Sequence, residues 1–185
     1  GTVAVASGEA GTTIPNGSVV SLAGGKVSRA WPASGRAFEL IARVQFTGDT
    51  NAEIEAVLRI NYAVGYCYWI LKANGVWQFY SGFDGVENDP LLISSLAVTG
   101  MPIDGTAWTC TRINGQHVTL WTGIGVGENA PASGAWTLRF DADRPLLLGK
   151  SQPTAFAVGG RSNGTHPVAG TTTTRWSKIS ARNIQ

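Results

Sequence analysis

Two carboxylates, Glu53 and Glu55, stand two positions apart in a stretch that alternates apolar and polar residues. Residues two apart in a strand share a face, and carboxyl groups about 5 Å apart can act as acid and nucleophile in retaining glycoside hydrolysis. An ordinary solvated strand face carries the same pair. We expect the solvated face.

Two acidic stretches are candidate calcium sites. Asp84, Glu87 and Asp89 form the first, and Asp141 with Asp143 forms the second. Calcium takes six to eight oxygen ligands, so either stretch needs backbone carbonyls or water to complete the shell. Aspartate is also a common turn residue, and turn formation is the preferred interpretation. Apart from this candidate calcium, we expect no cofactor and no metal.

The histidines and cysteines offer little nucleophilic chemistry. His117 and His166 stand in a hairpin and a loop, and no Gly-x-Ser-x-Gly sequence occurs, as a nucleophile elbow would require. Cys67 and Cys110 each lie in a predicted strand without a second Cys or a His at ligand spacing. Two possibilities remain for this pair: a disulfide between them, or two buried free thiols. The chain is therefore expected not to be an enzyme.

Aromatic residues are the strongest indication of function, with seven Trp and four Tyr against 14% charged residues. Strand alternation places Tyr66 and Tyr68 outward, with Tyr80 beside them across a turn, opposite a core-facing set of Cys67, Trp69 and Leu71. Tyrosines of this kind stack on sugar rings and hydrogen-bond through their hydroxyls. Packing beneath a loop or at a subunit contact is the alternative. The predicted ligand-binding set is Tyr66, Tyr68, Tyr80, Trp136 and Asp84.

These residues depend on β-strands for their positions. Asn74-Gly75 and Asn114-Gly115 each separate aromatic and β-branched runs, as in hairpins with two-residue type I′ turns. Residues 38–46 and 53–62 alternate with period two, and further strands are predicted at 136–140, 146–149 and 175–184. Residues 151–173 read as a long polar loop. The sequence predicts an all-β, two-sheet antiparallel jelly-roll sandwich of ten to twelve strands.

Length and charge limit the other possibilities. The 185 residues, 43% of them hydrophobic, fit one domain over residues 18–185, preceded by a linker or edge strand over 1–17. The net charge of +2 is scattered, which disfavours nucleic acid as a partner. No apolar run approaches the roughly twenty residues of a membrane span, so no membrane insertion is expected. Residues 1–10 lack the basic start and apolar core of a signal peptide, although an excised domain would have lost one.

The order of several short motifs resembles the laminin G-like and concanavalin A-like jelly rolls. Asp104-Gly105 precedes Trp108, a strand at 118–123 follows, and residues 145–149 read Pro-Leu-Leu-Leu-Gly before a closing strand that ends at Ile184. Trp121-Thr122-Gly123 followed by Trp136, in a Thr-rich setting, is similar to modules in minor tail proteins of bacteriophages that infect actinobacteria.

This resemblance implies a non-catalytic adhesion module of a phage tail or other surface assembly, located at the virion surface or outside the cell. Its expected partner is a cell-envelope glycan or receptor. A structural module that decorates the virion or self-associates is the alternative from another class. A glycoside hydrolase using Glu53 and Glu55 is a third, but hydrolases of the family add an Asp between or just beyond the pair, where this chain has Ile54 and Ala56. The resemblance also implies that calcium could bind at a loop rim.

Overall fold

Alternating apolar and polar residues keep most of the chain extended. The computed structural model describes residues 2–6, 9–15, 25–30, 37–47, 54–62, 65–72, 76–83, 96–97, 106–115, 117–124, 128–143, 153–162 and 171–184. The strands in these ranges are β1 (Thr2–Ala6), β2 (Glu9–Pro15), β3 (Gly25–Ala30), β4 (Ala37–Thr47), β5 (Ile54–Tyr62), β6 (Gly65–Lys72), β7 (Val76–Phe83), β8 (Leu96–Ala97), β9 (Thr106–Asn114), β10 (His117–Ile124), β11 (Thr137–Asp143), β12 (Ala155–Ser162) and β13 (Thr171–Asn183).

The strands form two antiparallel sheets. One has seven strands in the order β1-β2-β13-β4-β9-β10-β11, and the other has six in the order β3-β12-β5-β6-β7-β8. This confirms the predicted all-β, two-sheet antiparallel fold. Within the described ranges, no helix has the length and apolar character needed to cross a membrane.

The core lies between the two sheets. Alternate residues of β4 face it, as the sequence pattern predicts for residues 38–46, and β6 contributes the predicted face of the first hairpin. Trp176 of β13 is the largest fully buried side chain and packs in the same cluster. The core residues with no exposed surface are Phe38, Leu40, Ala42, Val44, Ala56, Leu58, Cys67, Ala107, Val118 and Trp176.

Both predicted hairpins are present, but neither has the register of a two-residue turn at its Asn-Gly pair. β6 pairs antiparallel with β7, and β9 with β10. In the first, Leu71 pairs with Trp77, whereas a two-residue turn at Asn74-Gly75 would pair it with Gln78. In the second, Asn114 pairs with His117, so Asn114 belongs to the strand and Gly115 is the first loop residue. Gly115 has a φ of 61°, which a glycine in the first loop position adopts without steric cost.

The predicted loop over residues 151–173 is wrong, because it contains β12, a strand between β3 and β5. Gly159-Gly160 reads as a turn but lies within that strand. A Cβ at Gly160 would overlap Oγ1 of Thr174, and the carbonyl of Gly159 accepts a 2.9 Å hydrogen bond from Nε1 of Trp176. The glycines therefore allow the two sheets to approach closely.

Residues 1–17, for which linker and edge strand were both open, contain β1 and β2, which pair as a hairpin. β1 forms an edge of the seven-stranded sheet. The predicted strand at 146–149 lies outside the described residues.

Candidate functional site

The outer face of the seven-stranded sheet carries an array of charged and aromatic residues. Glu39 and Arg43 alternate with the core residues of β4, so they lie on this face as predicted. However, they are only 2% and 5% exposed. Buried charges of this kind need partners, and the neighbouring strands supply them.

Glu39 is held between two arginines. Nε of Arg112, on β9, donates to Oε2 of Glu39 over 2.7 Å. Nε and Nη2 of Arg182, on β13, lie 2.9 and 2.8 Å from Oε1. The carboxylate is buried while the side chains of Arg112 and Arg182 are 49% and 72% exposed. Glu39 thus orients two solvent-facing guanidinium groups from beneath.

The electrostatics of this cluster favour its charged state. Burial raises the pKa of the Glu39 carboxyl, but the hydrogen bond and charge of Arg112, together with those of Arg182, outweigh burial and hold the pKa below its usual value. The same hydrogen bond raises the pKa of Arg112. The cluster therefore contains one carboxylate and two guanidinium ions.

A bulge in β13 brings Arg182 to this face. Ser177 pairs with Arg43 and Ser180 with Ile41, so three steps on β13 match two on β4. Lys178, in the bulge, has a φ of 51°. Because one extra residue reverses the alternation of a strand, Arg182 faces outward although it is an even number of positions from the buried Trp176.

A second bulge places an apolar residue beside the arginines. Leu120 pairs with Phe140 but Trp121 pairs with Leu138, so Arg139 is the extra residue of β11. Phe140 packs against the core, whereas Leu138 is 41% exposed. The bulge therefore sends Leu138 to the outer face, next to Trp121.

Trp121 completes this group on β10. Its ring is half-buried, and its Nε1 donates to Oγ1 of Thr119 over 3.2 Å. Cζ of Arg112 lies 6.0 Å from the ring centroid, within cation–π range. We call Glu39, Arg112, Trp121, Leu138 and Arg182 the arginine–tryptophan face.

The part of the outer face around Arg43 is covered by neighbouring side chains. Arg43 makes an ion pair of 2.7 Å with Glu128, and its side chain is 7% exposed. Its Nη1 also donates to Oγ of Ser177 over 3.3 Å. Trp108, paired with Arg43 on β9, is 3% exposed. Among the described residues, the outer face is therefore closed around Arg43, whereas Arg112, Leu138 and Arg182 of the arginine–tryptophan face are exposed.

Asp141 and Asp143, the second candidate calcium pair, hold a histidine instead. Nε2 of His117 lies 3.0 Å from Oδ1 of Asp141, and Nδ1 lies 2.8 Å from Oδ1 of Asp143. Two nitrogens facing two carboxylates require the doubly protonated ring, and the hydrogen bond to Asp143 raises the pKa of His117. This arrangement does not fit calcium, which needs converging oxygens. In the part of the chain that the structure describes, no group of three His, Cys, Asp or Glu side chains is arranged to hold a metal ion.

The predicted ligand-binding residues do not form one group. Tyr66 and Tyr68 lie on β6 and Tyr80 on β7, and the backbone register pairs Tyr68 with Tyr80. These strands belong to the six-stranded sheet. Trp136, half-buried, directly precedes β11 of the other sheet. Asp84, together with Glu87 and Asp89, lies outside the described residues. The tyrosine site and Trp136 therefore stand as separate predictions.

The carboxylate pair also differs from expectation. Glu55 has no exposed surface, so the predicted solvated face is wrong for this residue. The backbone register of β5 pairs Glu55 with Lys72 on one side and Arg161 on the other. Glu53 lies outside the described residues.

The two cysteines are free and buried. Cys67 lies in the core, whereas Cys110 alternates with core residues of β9 and lies on the outer face near Glu39. Burial raises the pKa of each thiol to about 12. Of the two states left open, the structure has the free thiols, and both are protonated at neutral pH.

No protein-family model matches the chain, and no curated protein matches it in sequence. Solved structures do. The exoplasmic/lumenal domain of VIP36 with Ca²⁺ and Man3GlcNAc bound has 12% identity and a TM-score of 0.56, over 96% of this chain and 81% of that one. The CBM2 module of the evolved Dit of Lactobacillus casei BL23 phage J-1 has 13% identity and a TM-score of 0.54, over 100% and 81%.

A GH131 β-glucanase catalytic domain from Podospora anserina is also similar, with 9% identity and a TM-score of 0.54 over 96% of this chain and 72% of that one. At these identities the likeness concerns the fold alone. The chain is a two-sheet jelly roll of the concanavalin A-like type, as the sequence resemblance implies.

Sequence reasoning missed the arginine–tryptophan face. Trp121 was noted only as part of a motif, and Glu39 only as a polar position on a strand. No prediction includes Arg112, Arg182 or Leu138, and alternation alone places neither Arg182 nor Leu138 on this face. Strand alternation in the second hairpin was the available signal, because it places Arg112 and Trp121 on the same face even though the predicted turn gives the wrong register.

Proposed function

We propose that this protein is a non-catalytic saccharide-binding module, displayed on a phage tail or another surface assembly outside the cell. The observation that carries the proposal is the half-buried ring of Trp121 on an open sheet face, beside an oriented and exposed Arg112. An aromatic ring next to fixed hydrogen-bond donors is the combination that saccharide sites use, because sugars have apolar ring faces and polar edges.

Two further points support this proposal. Similar folds include a VIP36 domain solved with a bound saccharide and a phage module named CBM2. Glu55 is one of the two glutamates that a hydrolase would use, Glu53 and Glu55. It has no exposed surface, so it does not contact a ligand at the surface. We therefore propose binding without hydrolysis.

Binding to an immobilised saccharide array tests the proposal and distinguishes the two candidate surfaces. We expect Trp121→Ala to weaken binding about tenfold or more, whereas Trp121→Phe, which keeps a ring, retains most of it. The triple variant Tyr66→Ala, Tyr68→Ala and Tyr80→Ala tests the site predicted from sequence. If Trp121→Ala binds normally and the triple variant does not, the site belongs to the six-stranded sheet. If the wild-type protein binds no saccharide, the proposed function is wrong.

A structural role in self-association is the second candidate. β11 is an edge strand of the seven-stranded sheet and carries the exposed Leu138, and edge strands can pair with another chain. Light scattering after size-exclusion chromatography measures this directly. A stable oligomer that Leu138→Ser dissociates, together with no affinity for saccharides, would favour the structural role.

A further inference from the structure

Glu39 leaves one edge of the Arg112 guanidinium available to a ligand. A guanidinium is a planar fork with five N–H donors. Among the described residues, Glu39 engages Arg112 at Nε and Cys110 also lies within hydrogen-bonding range of the side chain, so these two partners do not use all five donors. The side chain is 49% exposed while Glu39 is 2% exposed. This is how a protein fixes an arginine for bidentate contact with a carboxylate or a phosphate.

The charge of the cluster favours an anion. Glu39 carries one negative charge against the two positive charges of Arg112 and Arg182, which leaves one positive charge in excess. Asp141, on β11, stands in the same register row as Arg112 with Thr119 between them, but the carboxylates of Asp141 and Asp143 are both paired with His117. A ligand anion would therefore meet guanidinium groups whose own carboxylate is buried beneath them.

The neighbouring strands provide room for a sugar next to the anion. From β13 through β4, β9 and β10 to β11 there are four strand spacings, or about 19 Å at about 4.8 Å each. Arg182 lies at one end of this span, Arg112 in the middle, and Trp121 with Leu138 at the other end. The apolar and cationic parts are thus adjacent rather than intermixed.

We propose, on the basis of the saccharide-binding function above, that the arginine–tryptophan face selects saccharides that carry an anionic substituent. The terminal nitrogens of Arg112 bind the carboxylate or phosphate oxygens, and the sugar ring lies against Trp121. Arg182 adds positive charge and keeps Glu39 in place.

Calorimetric titration of the intact protein with matched pairs of ligands tests the inference. One pair is trigalacturonate and its fully methyl-esterified form, and the other is phosphorylated and unmodified mannotriose. We expect the anionic member of at least one pair to bind about tenfold or more tightly, because a charged hydrogen bond contributes roughly 1.5–3 kcal/mol. The pair that shows the difference identifies carboxylate or phosphate as the group recognised. Arg112→Gln should weaken binding of the anionic member much more than binding of the neutral member and so abolish the preference.

Arg175→Gln is the matched control, since it removes the same charge from β13 seven positions before Arg182, and it should keep the preference. If Arg112→Gln folds poorly, Arg112→Lys retains the charge without the fork and should lose most of the preference. Equal binding of charged and neutral members would overturn the inference but not the proposed function. Equal loss in Arg175→Gln, or equally tight binding of polyglutamate, would also overturn it, because either result indicates charge alone. Failure of all saccharides to bind would refute both.

Discussion

Replacing Gly160 by alanine should destabilise the fold, because the two sheets approach each other closely at this point. A Cβ there would overlap Oγ1 of Thr174 and lie 3.1 and 3.2 Å from its Cγ2 and Cβ. Thr174 has no exposed surface, and its backbone pairs with both Thr12 and Phe46. The clash can be relieved only if the threonine changes rotamer or the sheets separate.

The magnitude follows from two opposing effects. Overpacking in a closed core costs typically about 1–3 kcal/mol, while removing a glycine from a strand returns roughly 0.5–1 kcal/mol. We expect Gly160→Ala to lower the free energy of unfolding by about 1–2 kcal/mol, which corresponds to a fall of roughly 2–8 °C in Tm for a chain of this size. Urea titration followed by tryptophan fluorescence measures the first quantity and calorimetry the second.

Two variants make this prediction specific. Gly134→Ala is the matched control, since a Cβ at the exposed Gly134 meets nothing within 4 Å, and its stability should change by less than about 0.5 kcal/mol. Thr174→Ala removes the clashing atoms, and Thr174 Oγ1 has no hydrogen-bond partner among the described residues. The double variant should therefore be more stable than the sum of the single changes by about 1 kcal/mol. Additive effects, or a Gly160→Ala protein as stable as Gly134→Ala, would refute the reasoning.

Two further predictions concern buried polar contacts. The pKa of Glu39 is lowered in the folded protein, so its contribution to stability is present above the pKa of the unfolded chain and is lost as the pH falls through the lower, folded value. Glu39→Gln should therefore reduce the loss of stability that the wild-type protein shows below about pH 4.5. Acid titration followed by circular dichroism measures this, and identical pH profiles for the two proteins would contradict it. Trp176→Phe removes the indole that donates to the carbonyl of Gly159 and leaves a cavity. Chemical denaturation should therefore show a free energy of unfolding lower by about 2–3 kcal/mol. A decrease below about 1 kcal/mol would show that the hydrogen bond between the sheets contributes little.

The fold was predictable because its signals are local. The alternation in residues 38–46 reproduces the core face of β4, and the parity of the first hairpin correctly assigns Cys67, Trp69 and Leu71 to the core. Turn residues then join the strands. Such patterns need no knowledge of which distant strand lies alongside.

Contacts between strands distant in sequence were harder to predict. Gly159-Gly160 reads as a turn because a glycine pair is common in turns, yet its role is to admit Thr174 and Trp176 from the opposite sheet. Glu55 reads as exposed because the pairing with Arg161 joins strands about one hundred residues apart. Neither contact can be predicted from the composition or the local sequence pattern.

The arginine–tryptophan face shows why the residues of one surface can be hard to predict in a chain whose strands are easily recognised. Its central members, on β4, β9 and β10, follow simple alternation from the core residues beside them. Its outer members, Arg182 and Leu138, face outward only because β13 and β11 each contain one extra residue, at Lys178 and Arg139. A bulge changes the face of every residue beyond it. In regular strands Arg182 would have pointed into the core and Leu138 would have shared the face of Phe140, so the two bulges determine which side chains the outer face presents.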